Sequence, residues 1–296
     1  MSSERKPPHD LPPDQQSPEN ASPSWQPSAQ SRVSQAYQPA VFAPTALLVL
    51  IAFMIGLHAY RTFVLGLFED ADVQFLNLTA FVPARFSLWI GLSSLQDVIA
   101  EVNASAASLR PLRRALFQAF VADGVSAPWT MVSYAFLHAS WEHVIFNGLW
   151  MLAFGTPVIR RFGTMRFVAF FALTAAISAV FHAVFNLNDV AVLVGASGAV
   201  SALTAAALRF AIGPGGFGAG PERWSEPARP LAVALTDRRV VMFIVVWFGI
   251  NLLAGLGVPL GGSGDVKIAW EAHVGGFIAG LLLFSLFDPV LRGAHS

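Results

Sequence analysis

The sequence predicts an all-α membrane protein with six membrane-spanning helices. Hydrophobic residues make up 55% of the chain and charged residues 12%, a balance too apolar for an ordinary soluble domain of 296 residues. The chain also contains six apolar runs, each near the length of about 20 residues that a helix needs to cross the hydrocarbon core. These runs cover about 45–67, 141–159, 166–187, 191–213, 240–258 and 268–287. Because a bilayer offers no water to backbone groups, each run is expected to be helical.

Arginines in the connections orient the predicted helices. Short cytoplasmic connections are typically rich in Lys and Arg. The connections after the second and fourth runs fit this rule and hold Arg160, Arg161, Arg166, Arg209, Arg223, Arg229, Arg238 and Arg239. Six crossings then place both termini in the cytoplasm and the connection of about 68 to 140 outside. That connection also holds arginines, but long connections weigh little in the rule.

The first forty residues differ in composition from the rest. They are rich in Pro, Ser and Gln and contain no apolar stretch like that of a secretory signal. Such a composition favours disorder. We therefore expect residues 1–40 to form a disordered cytoplasmic N-terminal tail and residues 41–296 to form a multi-pass membrane domain of six helices.

Two polar residues in the apolar runs predict a catalytic pair. Ser197 lies in the segment 195–198 (GASG) near the start of the fourth helix, and His273 lies near the start of the sixth. A serine hydroxyl is a poor nucleophile unless a neighbouring base takes its proton. In the orientation given above, both residues fall in the outer half of their helices, so they can meet at one depth.

Small residues favour a close approach of these two helices. Gly198 and Ala202 lie one turn apart on the fourth helix, and Gly276 and Gly280 lie on the face of the sixth helix that carries His273. Small residues at such positions let helix backbones approach closely in a membrane. The serine oxygen could then come within about 3 Å of the imidazole.

A second polar pair lies on the second predicted helix. His143 and Asn147 are four residues apart and share one helix face. Two side-chain donors in this arrangement can stabilise the negative oxygen that develops when a carbonyl is attacked. Taken alone, His143 is also compatible with a helix anchor at the interface, and Asn147 with a hydrogen bond between helices. On the first helix, His58 and Arg61 are expected to extend toward the membrane surface.

The chain resembles the rhomboid family of intramembrane serine proteases. The resemblance covers roughly 41–290 and rests on the separated segments 81–86 (FVPARF), 138–147 (HASWEHVIFN), 160–163 (RRFG), 195–198 (GASG) and 272–276 (AHVGG). It implies a six-transmembrane-helix rhomboid bundle. It further implies transmembrane protein substrates that are cut near their outer ends within the lipid bilayer, no metal or other cofactor, and a location in the inner membrane of a bacterium.

The resemblance also implies roles for individual residues. Ser197 would be the nucleophile and His273 the general base of a serine endopeptidase. His143, Asn147 and the backbone N–H of Ser197 would form the oxyanion hole. The residues expected to support this site are Gly195, Gly198, His138 and Gly276.

A Ser-His dyad is expected because no carboxylate is well placed to orient His273. Glu271 lies two residues earlier and points about 200° around the helix. Asp189 and Asp265 lie in predicted loops. We therefore expect the packing of neighbouring helices to hold the imidazole.

Two positions depart from the family pattern. Ser201 stands where an aromatic residue commonly packs against the base, and Ile159 stands where some members have a glutamate that ties the first loop down. Neither change removes a predicted catalytic group.

Other classes of function fit the sequence less well. The main alternative is a catalytically inactive rhomboid-like protein that binds membrane clients, but such relatives lose the serine or histidine or gain a blocking residue beside the serine, where this chain has Ala196.

Three other classes of protein also fit the sequence poorly. A transporter would be expected to show inverted repeats and broken helices, and the sequence indicates neither. The segment 262–265 (GSGD) matches the GxGD motif of intramembrane aspartyl proteases. Those enzymes need two aspartates that face each other within helices, and no predicted helix here supplies a second aspartate. A net charge of zero indicates no nucleic-acid partner, and the absence of cysteine excludes a thiolate metal site.

Overall fold

The architecture is that of a helical bundle, described from a computed structural model for residues 43–68, 70–213, 216–217, 226–256 and 268–290. In chain order the helices are α1 (Thr45–Phe63), α2 (Ala71–Thr79), α3 (Pro83–Trp89), α4 (Leu95–Ala104), α5 (Arg110–Phe120), α6 (Thr130–Ser133), α7 (Trp141–Trp150), α8 (Thr156–Phe162), α9 (Thr164–Phe185), α10 (Ser197–Leu208), α11 (Leu231–Ala234), α12 (Arg238–Gly255) and α13 (Trp270–Phe287). Two short strands, β1 (Ile212–Gly213) and β2 (Gly216–Phe217), pair antiparallel. The predicted tail 1–40 and the string 262–265 lie outside the described residues.

Four helical segments are long and apolar enough to cross a membrane, namely Thr45–Leu67, Thr164–Phe185, Arg238–Gly255 and Trp270–Phe287. They correspond to the first, third, fifth and sixth predicted runs. The second run forms α7, a π-helical segment at Met151–Gly155, and α8 in direct succession. The predicted helical membrane bundle is therefore confirmed, whereas the count of six crossings stays a prediction.

The fourth run does not form the helix predicted for 191–213. Only Ser197–Leu208 is helical in this run, and these 12 residues span about 18 Å at about 1.5 Å per residue. The stretch before Ser197 is held out of the helix by backbone bonds, because Leu193 N donates to Phe81 O at 2.7 Å and Gly195 N donates to Tyr134 O at 3.0 Å. Every residue of α10 after Ser197 is buried. The apolar character of this run therefore reflects burial inside the bundle.

The predicted close approach of α10 and α13 is present in the structure. A Cβ added to Gly276 would overlap the carbonyl oxygen of Gly198, and a Cβ added to Gly280 would overlap that of Ala202. Gly198 also faces the Ser178 hydroxyl of α9, with no space for a side chain between them. Three helices therefore meet at Gly198.

The connection between α1 and α7 forms a small core together with Val190 from the connection between α9 and α10. The buried residues of this core are Val82, Ala84, Val98, Val102, Phe120, Val121 and Val190. The guanidinium of Arg85 is buried beside them and donates hydrogen bonds to the carbonyl oxygens of Phe120 and Asn77. The long connection is thus a folded part of the protein.

His58 and Arg61 of α1 have partners within the structure, and their extension toward the membrane surface stays a prediction. His58 Nδ1 lies 3.1 Å from the carbonyl oxygen of His138, and Arg61 Nη1 donates to the same oxygen at 3.1 Å. Arg61 also pairs with Asp72 of α2 at 2.8 Å. The partners of both residues come from the folded connection, which the hydrophobic pattern of α1 does not reveal.

The end of α13 that lies farther from His273 is held by a buried ion pair. Arg161 of α8 contacts Asp288 at 2.8 Å, and the two side chains are 0% and 8% exposed. The Arg161 guanidinium also lies 4.7 Å from the centre of the Phe210 ring. Ile159 is buried in the core. Arg161 therefore ties α8 to the end of α13.

Candidate active site

Ser197 and His273 are in direct contact. Ser197 Oγ lies 2.7 Å from His273 Nε2. Ser197 begins α10 and His273 lies in the first turn of α13, so the backbone contact between Gly198 and Gly276 is adjacent to both. Both side chains are half-buried. The structure thus brings the predicted nucleophile and the predicted base within hydrogen-bonding distance.

His143 lies against the loop that precedes Ser197. A Cβ added to Gly195 would lie 2.7 Å from both Cε1 and Nε2 of the His143 ring. Gly195 also has a φ of 122°, a backbone conformation that L side chains rarely adopt. Glycine is therefore required here for two independent reasons. The backbone N–H of His143 donates to Ser140 Oγ at 3.2 Å, which fixes the start of α7.

Asn147 lies one turn after His143 on α7 and is buried. Its Nδ2 donates to the carbonyl oxygen of His143 at 2.9 Å. This bond uses one of the two amide N–H groups that an asparagine carries. The amide is therefore fixed to the same helix turn that holds the His143 ring beside Gly195.

The ring of His138 packs against the ring of His143. The two rings are 5.0 Å apart and meet edge to face at 78°. His138 is 1% exposed, and neither of its ring nitrogens has a hydrogen-bond partner among the described residues. Burial, together with the neighbouring His143 and His58, lowers the pKa of His138 to about 3. His138 is therefore a neutral, tightly packed ring at neutral pH.

Asn251, which is not among the site residues predicted from the sequence, contacts the other ring nitrogen of His273. Asn251 Oδ1 of α12 lies 2.5 Å from His273 Nδ1. The expectation of a Ser-His dyad depends on the absence of a nearby carboxylate, whereas this group is an amide. A signal was present, because Asn251 is a single amide side chain in the apolar run 240–258, and polar groups inside membrane helices are usually functional.

Glu271 and Ser201 do not face the imidazole edge that Asn251 contacts. Glu271 Oε2 lies 3.5 Å from His182 Nδ1 on α9. Ser201 Oγ donates to the carbonyl oxygen of Ser197 at 2.7 Å, within α10. The Ser201 hydroxyl therefore has its hydrogen-bond partner within α10.

A match to a known protein family covers this site. Residues 126–288, more than half of the chain, match the family model described as the Rhomboid domain. The chain belongs to the rhomboid family. Among its relatives is the rhomboid protease GlpG of Serratia proteamaculans (strain 568), which is 34% identical over 155 residues, or 52% of this chain and 46% of the relative. The rhomboid protease GlpG of Yersinia pestis (strain Pestoides F) is 32% identical over the same length.

This rhomboid spans about half the length of the curated relatives that it matches. The family match runs from the residues before α6 to the end of α13. It therefore includes His138, His143, Asn147, Ser197 and His273, and it also includes Asn251. Helices α1 to α5 lie outside it. Family membership and the four apolar helices together make the chain an integral membrane protein.

Proposed function

We propose that this rhomboid is an intramembrane serine endopeptidase that cuts transmembrane segments of other membrane proteins near their outer ends. The observation that carries the proposal is the distance of 2.7 Å between Ser197 Oγ and His273 Nε2. A hydroxyl and an imidazole at this distance, at the junction of two helices, form the arrangement that activates a serine nucleophile. The named relatives, which are rhomboid proteases, support the same conclusion.

In this mechanism Ser197 Oγ attacks the carbonyl carbon of a peptide bond while His273 Nε2 accepts the hydroxyl proton. The resulting imidazolium then gives that proton to the leaving amine, and the peptide C–N bond breaks. An acyl-enzyme ester on Ser197 remains. Water attacks the ester, His273 takes a proton from this water, and the proton returns to Ser197 as the acid product leaves.

The oxyanion of each tetrahedral intermediate is assigned to three donors. They are the His143 ring, the Asn147 amide and the backbone N–H of Ser197. Ser197 is the first residue of α10, so its N–H belongs to the helix N-terminus, where backbone donors have no partner within the helix. The His143 ring of α7 lies beside Gly195, which is in the loop that leads to Ser197, and this position supports the assignment of His143 as a donor.

The substrate must present an extended bond to Ser197. A helical transmembrane segment hides its carbonyl groups in hydrogen bonds, so cleavage requires local unwinding at glycine, proline or polar residues. We extend the proposal to a protein with six crossings, both termini in the cytoplasm and a location in the inner membrane of a bacterium. The arginines of the two connections named above support this orientation.

Replacement of Ser197 tests the proposal. The purified protein and a reporter membrane protein with one transmembrane segment are reconstituted in liposomes, and the cleavage products are mapped by mass spectrometry. Ser197→Ala is expected to abolish cleavage while the reporter still binds. Ser201→Ala is the matched control, because it removes a hydroxyl one turn away, and this variant is expected to keep cutting. If Ser197→Ala cuts as well as the parent protein, the proposed function is wrong.

A further inference from the structure

Asn251 lies in a continuous seam between α12 and α13. The two helices run antiparallel, and the contacts along the seam pair Gly255 with Trp270, Asn251 with His273 and Trp247 with Phe277. The rings of Trp247 and Phe277 are stacked 4.5 Å apart. The contact between Asn251 and His273 is therefore held from both sides by packed neighbours.

The amide of Asn251 is oriented by its own helix. Asn251 Nδ2 donates to the carbonyl oxygen of Trp247 at 2.7 Å. A carbonyl oxygen can only accept, so the nitrogen of the amide must point toward Trp247. The oxygen of the amide is then left to face His273 Nδ1, at 2.5 Å.

This orientation determines which nitrogen of His273 carries the proton. Since Asn251 Oδ1 can only accept, Nδ1 must be the donor in the neutral imidazole. Nε2 is then free of a proton and can accept one from Ser197 Oγ, which lies 2.7 Å away. The opposite tautomer would place two acceptors against each other at Nδ1 and would remove the acceptor that the Ser197 hydroxyl needs.

We propose that Asn251 is a positioning residue that holds the His273 imidazole with its proton on Nδ1 and its Nε2 toward Ser197. The inference rests on the proposed function and replaces the expected dyad with a serine, a histidine and an orienting amide. Cysteine proteases with a Cys-His-Asn arrangement use an amide in the same chemical role on a different fold. A neutral amide is also cheaper to bury within a bilayer than a carboxylate.

Two variants separate positioning from packing. Asn251→Leu keeps a side chain of similar size but removes the acceptor. It is expected to lower kcat by about tenfold to a hundredfold, the range typical of lost orienting partners, with little change in KM. Ile250→Ala is the matched control, because Ile250 is a 53% exposed neighbour on α12, and this variant is expected to keep parental kinetics.

Asn251→Asp provides a readout that packing alone would not change. A negative charge beside Nδ1 favours the protonated imidazole, which cannot accept the Ser197 proton. The acidic limb of the plot of kcat/KM against pH is therefore expected to move to higher pH. Among the residues that the structure describes, the other titratable groups that face this part of the site are His143 of α7 and His182 of α9, with Glu271 paired to His182. They are the same in all variants, so a comparison at matched pH isolates residue 251.

The experiment measures kcat, KM and the pH profile for the parent, Asn251→Leu, Asn251→Asp and Ile250→Ala in liposomes with the same reporter. A lower kcat in Asn251→Leu together with a shifted acidic limb in Asn251→Asp supports the inference. An Asn251→Leu variant that matches Ile250→Ala, or an Asn251→Asp variant with the parental acidic limb, would overturn it. Ser197→Ala is run alongside. Cleavage by Ser197→Ala would show that the proposed function is wrong. Parental kinetics in the Asn251 variants would instead show that only the inference on Asn251 is wrong.

Discussion

The α carbon of Gly276 lies directly against the carbonyl oxygen of Gly198, so α13 and α10 are in backbone contact. Gly198 follows Ser197 in the chain, and Gly276 lies one turn after His273. The atoms that block a side chain here belong to the backbone and cannot rotate away. The distance between the serine hydroxyl and the imidazole therefore depends on this packing.

Gly276→Val is expected to push α13 away from α10. Overpacking of this kind typically lowers the free energy of unfolding by about 1–3 kcal/mol. Misplacing the imidazole by about 1 Å is expected to lower cleavage by about a hundredfold. Thermal unfolding and reporter cleavage measure the two effects. Gly56→Ala on α1 is the control, since a Cβ there meets nothing within 4 Å. Parental cleavage by Gly276→Val would show that the close contact is not needed.

Gly195→Ala is expected to strain the backbone before Ser197 and to displace the His143 ring. The new Cβ would lie 2.7 Å from the His143 ring, and the φ of 122° disfavours any residue with a side chain. The strain is expected to cost about 1–3 kcal/mol of stability, and cleavage should fall further than the loss of folded protein explains. Gly124→Ala is the control, because Gly124 has a φ of 67° but open space around its α carbon. Equal activity per folded molecule in the two variants would argue against a role for Gly195 in placing His143.

His143→Ala and Asn147→Ala test the proposed oxyanion hole. Removal of one donor to an oxyanion typically lowers kcat by about a hundredfold to a thousandfold. Because these donors act mainly in the transition state, KM is expected to change little. If the two groups act together, the decrease in kcat of the double variant should be smaller than the product of the decreases in the two single variants. A raised KM with unchanged kcat would instead assign both residues to substrate binding.

The stability of the protein should fall on acidification through the burial of His138. The pKa of this group is about 3 in the folded protein against 6.5 for an ordinary histidine, so the unfolded chain binds the proton more readily between these values. Stability is then fully present above about pH 6.5 and decreases toward about pH 3, by up to about 1.4 kcal/mol per pH unit. The free energy of unfolding of His138→Phe, measured across this pH range, should lack the part of the decrease that is due to His138. The same pH dependence in both proteins would contradict this role of His138.

The sequence predicts the pair of residues that meets and the helices that carry it, because apolar runs and stripes of small residues are local features. Ser197, His273 and Gly276 are examples. The helix predicted for about 191–213 is present but shorter, at Ser197–Leu208, because Phe81 and Tyr134, which are distant in sequence, bind the backbone before Ser197. Backbone hydrogen bonds between residues that are distant in the chain leave no periodic pattern in the sequence.

Two further differences have the same origin. The partners of Arg61 are Asp72 and the His138 carbonyl, and both belong to parts of the chain whose fold is set by tertiary contacts. Asn251 was visible as an isolated amide in an apolar run. Its contact with His273 depends on how α12 packs against α13, which the sequence of α12 alone does not specify.

The most direct test of the account is the reaction of the purified protein with a serine-directed fluorophosphonate probe, followed by peptide mapping. The account predicts one labelled peptide, modified at Ser197, and loss of the label in His273→Ala because the hydroxyl is no longer activated. Labelling at another serine, or undiminished labelling of Ser197 in His273→Ala, would contradict the claim that these two residues act as nucleophile and base.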